Sequence, residues 1–434
     1  MKILLLVAEP WRSDSSGGNV IDNLFRGINA EYAQVYCSAE QPNNISCDTY
    51  YQFTSREAIN SFITRKPCGH IINSSSYFIN DNEAAKEKRM LDSFRSNRLP
   101  IFITAKYLIW RWSNWKTKEL SQFITGFQPD VIFAPCYASP FMCALTRFAK
   151  DLTKKPVVSY SGDDNYSLKQ FSISPAFWIN RIIVRKCLRK TYPYYDAFYS
   201  MSEDEIQELT PIIVKPIKIL RKGIDVSNLE YPVNHTVHHP IRLIYAGGIY
   251  VNRWKTLSAI RKAIERLNEE GYSYQLDIYT QNTVTNKQYN ALNNNRDCFL
   301  HKSISKEDLE KIYHDSDIAI HCESFSLKNK LLTRLSFSTK IVDCLASGCA
   351  ILAIAWKEQT GLKYLQANDA AICITSIKDI YLVLKKIANN TDIISKYANN
   401  ARMCAINNHN IDNIRNELMD TLEQVSSKEA ETVK

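Results

Sequence analysis

The sequence has no C-x-x-C pair among its twelve cysteines, no uninterrupted apolar run of about 20 residues, and no arm of like charge. Each absence excludes something. Unpaired cysteines set in apolar runs, as Cys322, Cys344 and Cys373 are, describe small buried hydrophobes in a reducing compartment, not a disulfide scaffold or a zinc site. The opening M-K-I-L-L-L-V-A-E-P has one basic residue and an apolar run too short for a signal peptide, so a cytoplasmic location is expected. No Ser-His-Asp order with a nucleophile elbow is present. Lys plus Arg total 54 against 45 Asp plus Glu, and the surplus of +9 is spread along the chain. That balance suits anionic partners, but without a basic stripe or binding motif nucleic acid is not expected among them.

What is present is 434 residues, 45% hydrophobic and 23% charged, enough for two cores and ordinary for globular protein. Short apolar runs alternate with helix-length amphipathic stretches, the pattern of an α/β chain with parallel sheets and crossover helices. Expected strands are Lys2–Val7, Ala33–Ser38, Asp130–Ala134, Pro156–Tyr160 and Asp196–Met201, then Ile217–Leu220, Ile241–Ala246, Tyr274–Tyr279, Asp317–His321, Ala350–Ala355 and Ala370–Thr375. Ser139 before Pro140 reads as an N-cap with a first-turn proline, and Leu257, Ile260, Ile264 and Leu267 share one helical face. Ser202 and Glu205 read as a capping box for a short helix that Pro211 ends. The aperiodic stretch 231–240 suggests a boundary in the 200–240 region, giving Rossmann-like domains at 1–200 and 201–425 and a polar, frayed tail at 426–434.

The segment Ser336–Gly348, S-F-S-T-K-I-V-D-C-L-A-S-G, reads as a loop entering a helix near Ser338. The i,i+4 pairs Ile341/Leu345 and Val342/Ala346 pack that helix on a sheet and leave Ser338, Thr339 and Lys340 at its start. Two hydroxyls, an ammonium and free N–H groups there suit phosphate oxygens, and Asp343, one turn on, could accept from ribose hydroxyls. Capping alone also explains the pattern. A second element, I-R-L-I-Y-A-G-G-I-Y-V-N-R-W-K-T-L from Ile241, places Gly247 and Gly248 after a buried strand, where a backbone can approach a ligand, with Arg253 as a candidate diphosphate clamp.

With Ser303–Leu309 (S-I-S-K-E-D-L) and Ser316–Phe325 (S-D-I-A-I-H-C-E-S-F), these phrases lie in one order across about 110 residues. Together they resemble the donor domain of retaining glycosyltransferases of family 4, the bacterial surface-polysaccharide type. S-S-G-G-N at Ser15–Asn19, Q-P-D-V-I-F, M-S-E at Met201–Glu203 and K-G-I-D at Lys222–Asp225 resemble phrases of the same family. The resemblance implies a GT-B architecture, two Rossmann-like domains facing across a cleft, the first binding acceptor and the second a nucleoside diphosphate sugar. It implies transfer of a hexosyl unit with retention, without metal or other cofactor, to a glycan or polyprenyl-linked acceptor in surface polysaccharide biosynthesis. Gly247, Gly248, Arg253, Ser338, Thr339 and Lys340 would hold the diphosphate, Asp343 the ribose, and the loop with Gly17 and Gly18 would face the cleft.

The chain departs from the family in places. The usual pair of glutamates eight positions apart falls at Leu335 and Asp343, so the first is absent. Its role passes to Glu323 or is unfilled, and Asp163 of S-G-D-D-N, after strand Pro156–Tyr160, is the other catalytic candidate. Asp163–Asp164 reads equally as a turn-capping pair. Ile249 stands for the family's arginine after the glycines, and Cys136 and Tyr137 stand where a sugar-contacting histidine is common.

Other signals admit plainer readings. Asp315-Ser316-Asp317 has a metal-binding spelling but lies between a helix and a strand, where the acids cap and turn the chain, and His235, His238 and His239 read as a solvated linker cluster. Phe94–Lys118 interleaves six cations with Trp110, Trp112 and Trp115. It reads either as a peripheral helix on the inner face of the cell membrane or as core strand and helix. Beside the transferase, a nucleotide-sugar epimerase or hydrolase of the same fold and a non-catalytic nucleotide-sugar-binding protein stand as alternatives.

Overall fold

The computed structural model describes residues 1–13, 16–44, 46–72, 100–227, 229 and 236–432. It forms two compact units, residues 1–220 with 413–434, and residues 221–412.

The first unit runs β1 (Lys2–Val7), α1 (Ser16–Phe25), β2 (Glu31–Tyr36), β3 (Thr49–Gln52), α2 (Ser55–Thr64), β4 (His70–Ile72), α3 (Pro100–Trp112), α4 (Lys118–Phe127), β5 (Val131–Phe133), α5 (Pro140–Thr153), β6 (Val157–Ser161), α6 (Pro175–Thr191), β7 (Ala197–Ser200), α7 (Glu203–Leu209) and β8 (Ile217–Ile219). Its sheet has the order β4-β3-β2-β1-β5-β6-β7-β8, parallel except where β4 meets β3. The run K-I-L-L-L-V makes a central strand because helices cover both its faces: Leu4 and Leu6 enter one core, Ile3, Leu5 and Val7 the other. As expected, Ser139 caps α5 by accepting from the Met142 N–H, with Pro140 in the first turn. Ser202 likewise accepts from the Glu205 N–H, but the box is only half made. The Glu205 carboxylate turns instead to the Ser161 and Ser200 hydroxyls, each 2.6 Å away.

The second unit runs β9 (Ile241–Ala246), α8 (Arg253–Glu269), β10 (Tyr274–Thr280), α9 (Asn286–Leu292), β11 (Cys298–Lys302), α10 (Lys306–His314), β12 (Ile318–Cys322), α11 (Leu327–Thr333), α12 (Thr339–Leu345), β13 (Ala350–Ile354), α13 (Thr360–Ala367), β14 (Ile372–Ile374), α14 (Ile380–Asn389) and α15 (Asp392–His409). The parallel order is β11-β10-β9-β12-β13-β14, and Leu257, Ile260, Ile264 and Leu267 of α8 are fully buried in its core, as their spacing predicts.

Two features depart from the expected division at 200 and 425. β8 hydrogen-bonds to β7 and so completes the first sheet, not the second. The last helix, α16 (Ile411–Thr432), sends Ile414, Leu418 and Leu422, four apart on one face, into the first unit's core beside Ile3 and Leu5. The expected frayed tail is helical through Thr432, and Ser426 donates to the Asp130 carbonyl.

In α3, Trp110 is buried and stacks on Phe141 at 4.0 Å, and Trp115 meets the same ring edge-on. Of the three tryptophans in the proposed interfacial segment only Trp112 is exposed, so packing accounts for the other two. Residues 94–99 of that segment lie outside the described residues, as does His235. Among the described residues no helix is long and apolar enough to cross a membrane.

Candidate functional site

In a doubly wound sheet the crossovers run to opposite sides of one strand pair, and the crevice beyond their carboxyl ends is where ligands bind. In the second unit that pair is β9 and β12. Their pairing holds at Ile318↔Leu243 and Ala319↔Ile244 and then stops, while β9 continues to Ala246 and β12 to Cys322. The strands therefore part, and the residues flanking the opening are those after Ala246 and from His321 onward.

Gly247 and Gly248 stand at this opening. A Cβ on Gly247 would lie 2.4 Å from the Lys340 ammonium nitrogen, and one on Gly248 would lie 2.3 Å from the Tyr250 ring. The two glycines thus leave room for the protein's own side chains, where the sequence suggests the approach of a ligand. Beyond them, Tyr245 donates to the Gly248 carbonyl, Asn282 accepts from the Ile249 N–H at 2.7 Å, and Asn329 donates to the Val251 carbonyl. These bonds hold Val251 and Asn252 at φ of 49° and 62°. Left-handed backbone at a β-branched residue is costly, and strain of this kind gathers at functional loops.

α8 begins directly at Arg253, which is buried with Glu323. Its Nε and Nη2 donate to the two carboxylate oxygens at 3.0 and 2.7 Å, a bidentate pair at the ends of β9 and β12. Burial works against the guanidinium charge, but Glu323 outweighs it and raises the Arg253 pKa; burial raises that of Glu323 against the pull of Arg253. The expected diphosphate fork is therefore occupied by Glu323, and what Arg253 can offer a ligand is its Nη1 edge. For the same reason Glu323 is a fixed counter-ion here, not an unattached carboxylate.

Lys340 reaches across from the first turn of α12, and its ammonium donates to the Ala246 carbonyl at 3.1 Å. Burial lowers its pKa, Asp343 opposes that, and Arg253 adds to it. Ser338 occupies the N-cap position without a side-chain cap bond; its hydroxyl and that of Thr339 are half-buried. Asp343, expected to meet a ribose, is paired with Lys222, the lysine of K-G-I-D. Leu335 is buried where a carboxylate was sought. As the spacing predicts, the helix stops before Gly348, which takes φ +78.

The structure thus brings together Gly247, Gly248, Arg253, Glu323 and Lys340, with Ser338, Thr339 and Asp343 on the neighbouring helix. Gly17 and Gly18 sit inside α1, not in a loop. Asp163 is exposed in the turn after β6, where its carbonyl accepts from the Asn165 N–H, whereas Asp164 is buried against Arg181 and accepts from Ser167. The turn-capping reading describes Asp164. Asp317 is likewise structural: it is buried and accepts from the Arg242 N–H and from His238. His321, which the motif reading passed over, also lies at the crevice.

Residues 253–420 match a family model described as glycosyl transferase-like. No curated protein matches the sequence. Among solved structures, Anabaena HepE in complex with UDP and glucose is 11% identical with TM-score 0.60, covering 98% of this chain and 100% of its own. Sucrose-phosphate synthase from Thermosynechococcus elongatus is 12% identical with TM-score 0.60, covering 99% and 100%. The E. coli structure described as trehalose-6-phosphate bound with UDP-2-fluoro glucose is 8% identical with TM-score 0.61, covering 98% and 99%. The fold is GT-B. At these identities the likeness is one of fold.

Proposed function

We propose that this protein is a glycosyltransferase that binds a nucleoside diphosphate sugar in the second unit and transfers its hexosyl group, with retention, to a hydroxyl of a glycan or polyprenyl-linked acceptor. The observation that carries the reading is Lys340 laid over Gly247 onto the carboxyl end of β9, at the switch point of the sheet. An ammonium there can leave the Ala246 carbonyl for a phosphate oxygen. With the Arg253 Nη1 edge it would stabilise negative charge as the nucleoside diphosphate departs, a task suited to preorganised donors. Ser338 and Thr339 would add hydroxyl donors to the same group. The match of residues 253–420 to a glycosyl transferase-like model and the UDP bound by HepE both favour this assignment.

Thermal unfolding with UDP, GDP, ADP and their glucose or mannose conjugates tests it, since a ligand held by the fold alone raises the midpoint. At least one nucleotide should do so, and Lys340→Ala should weaken its binding about 10- to 100-fold, the loss of one charge-assisted hydrogen bond. No stabilisation by any of them overturns the donor site. Buried Leu335 in place of a carboxylate favours one second reading, a non-catalytic nucleotide-sugar-binding protein. Binding without turnover of any conjugate would select it.

A further inference from the structure

The carboxyl end of β12 carries a buried imidazole without a hydrogen bond. His321 is 4% exposed, and its Nε2 has no partner among the described residues. Ile318, Ile320 and Cys322 enter the core of the second unit beside Leu257 and Ile260 of α8, so by strand alternation Ala319 and His321 line the opposite face. The Glu323–Arg253 pair lies at the same carboxyl end of β12. Burial, then the charges of Arg253 and Lys340, push the His321 pKa down to about 3, so the ring is neutral.

A buried polar nitrogen left unpaired costs stability, and native interiors rarely keep one without a use. An apolar ring would fill the same volume without that cost. The position next to two cations suggests the use. A third positive charge would repel the other two, whereas a neutral imidazole can donate to an anion without adding charge.

We infer that His321 is a further ligand-contacting residue of this crevice. Its neutral imidazole donates from Nε2 to a phosphate oxygen of the nucleoside diphosphate sugar, once Lys340 has turned from the Ala246 carbonyl onto the same phosphate. The inference rests on the donor-site reading above and adds a third contact to it.

The test compares wild type, His321→Phe and His321→Gln in thermal unfolding and calorimetric titration with UDP-glucose, ADP-glucose and GDP-mannose. The unliganded midpoint of His321→Phe should equal or exceed that of wild type, while its affinity for the stabilising conjugate falls about tenfold; His321→Gln, which keeps a donor, should recover part of the loss. Wild-type protein labelled with 15N-histidine provides a reading independent of any variant's folding, because the Nε2 resonance of His321 should move on adding that conjugate. A His321→Phe protein that binds as wild type does, or a histidine spectrum unchanged by ligand, overturns the inference while leaving the donor site standing. If none of the three conjugates stabilises wild type, the donor-site reading fails and this inference fails with it.

Discussion

Each unit places a buried ion pair at the carboxyl edge of its sheet, and the two pairs are built differently. In the first unit Arg181 donates to the Asp164 carboxylate and also to the Ser167 and Asp164 carbonyls. In the second, the Arg253 guanidinium has Glu323 as its one hydrogen-bonded partner among the described residues and faces a Tyr250 ring at 5.1 Å. The surroundings differ as well: Asp163, Asp164 and Glu205 gather at the first edge, Lys340 and Arg253 at the second. One doubly wound plan thus carries an acid-rich edge suited to hydroxyl groups and a cation-rich edge suited to phosphate. An arginine that also serves backbone carbonyls fixes a loop. One that depends on a single carboxylate keeps an edge available for something else.

The largest effect should come from breaking the second pair. Glu323→Ala leaves a buried guanidinium uncompensated and should cost about 3–5 kcal/mol in urea unfolding. A combined Arg253→Met and Glu323→Leu change should recover most of it, since an apolar pair carries no desolvation penalty. Asp164→Ala should cost clearly less, because Arg181 keeps its carbonyl partners. Equal losses at the two sites would erase the proposed difference.

Next in size is a pH effect confined to the first edge. Burial, then Asp163 and Asp164, raise the Glu205 pKa to about 7, against the pull of the Ser161 and Ser200 hydroxyls. The folded state therefore holds a proton that the unfolded chain gives up near its ordinary value of 4.5. Protons bound to the native form exceed those on the unfolded form between these values, so stability falls as pH rises through that window. The loss amounts to about 3 kcal/mol above pH 7. Glu205→Gln, which mimics the protonated form, should be more stable than wild type at pH 8 by about that amount and indistinguishable at pH 4.5. Melting curves at the two pH values decide it, and no gain at pH 8 would remove Glu205 from the account.

Much of this is legible in the sequence. β1 and β9 have the bounds their apolar runs indicate, and α8 buries the four residues its spacing singled out. β3, β4 and β11 are not marked by the pattern, because T-Y-Y-Q, H-I-I and C-F-L-H-K are short and carry polar residues themselves, and only their sheet partners make them strands. The unit boundary was misplaced for a similar reason: β8 and α16 are assigned by what they pack against, which periodicity does not state. At the site, the motif marks Gly247 as a place without room for a side chain, though not that Lys340 is what fills the space. Glu323 occupying the fork of Arg253, Lys222 pairing with Asp343, and the unpaired nitrogen of His321 could not be read from it, since each depends on residues brought together from different elements.

The smallest change addresses the contrast most directly. Gly247→Ala places a methyl group 2.4 Å from the Lys340 nitrogen, 3.0 Å from its Cε and 3.1 Å from its Cδ. All three belong to the flexible end of a lysine, and Gly247 does not occupy the left-handed region. The side chain can therefore move aside, and stability should change by about 0.5 kcal/mol or less. Lys340, however, would lose its place against the end of β9, so nucleotide affinity should fall by roughly three- to tenfold, near 1 kcal/mol. Gly162→Ala is the counterpart at the first edge, where the new methyl would meet the Met201 sulfur at 2.8 Å and displace another flexible chain. Its stability change should be as small, and its nucleotide response should match wild type. Titrating both variants with the same nucleotide isolates the crevice of the second unit from general disturbance of a sheet edge. If the two responses fall together, Lys340 over Gly247 is ordinary packing and the cation-rich edge has no special claim on phosphate.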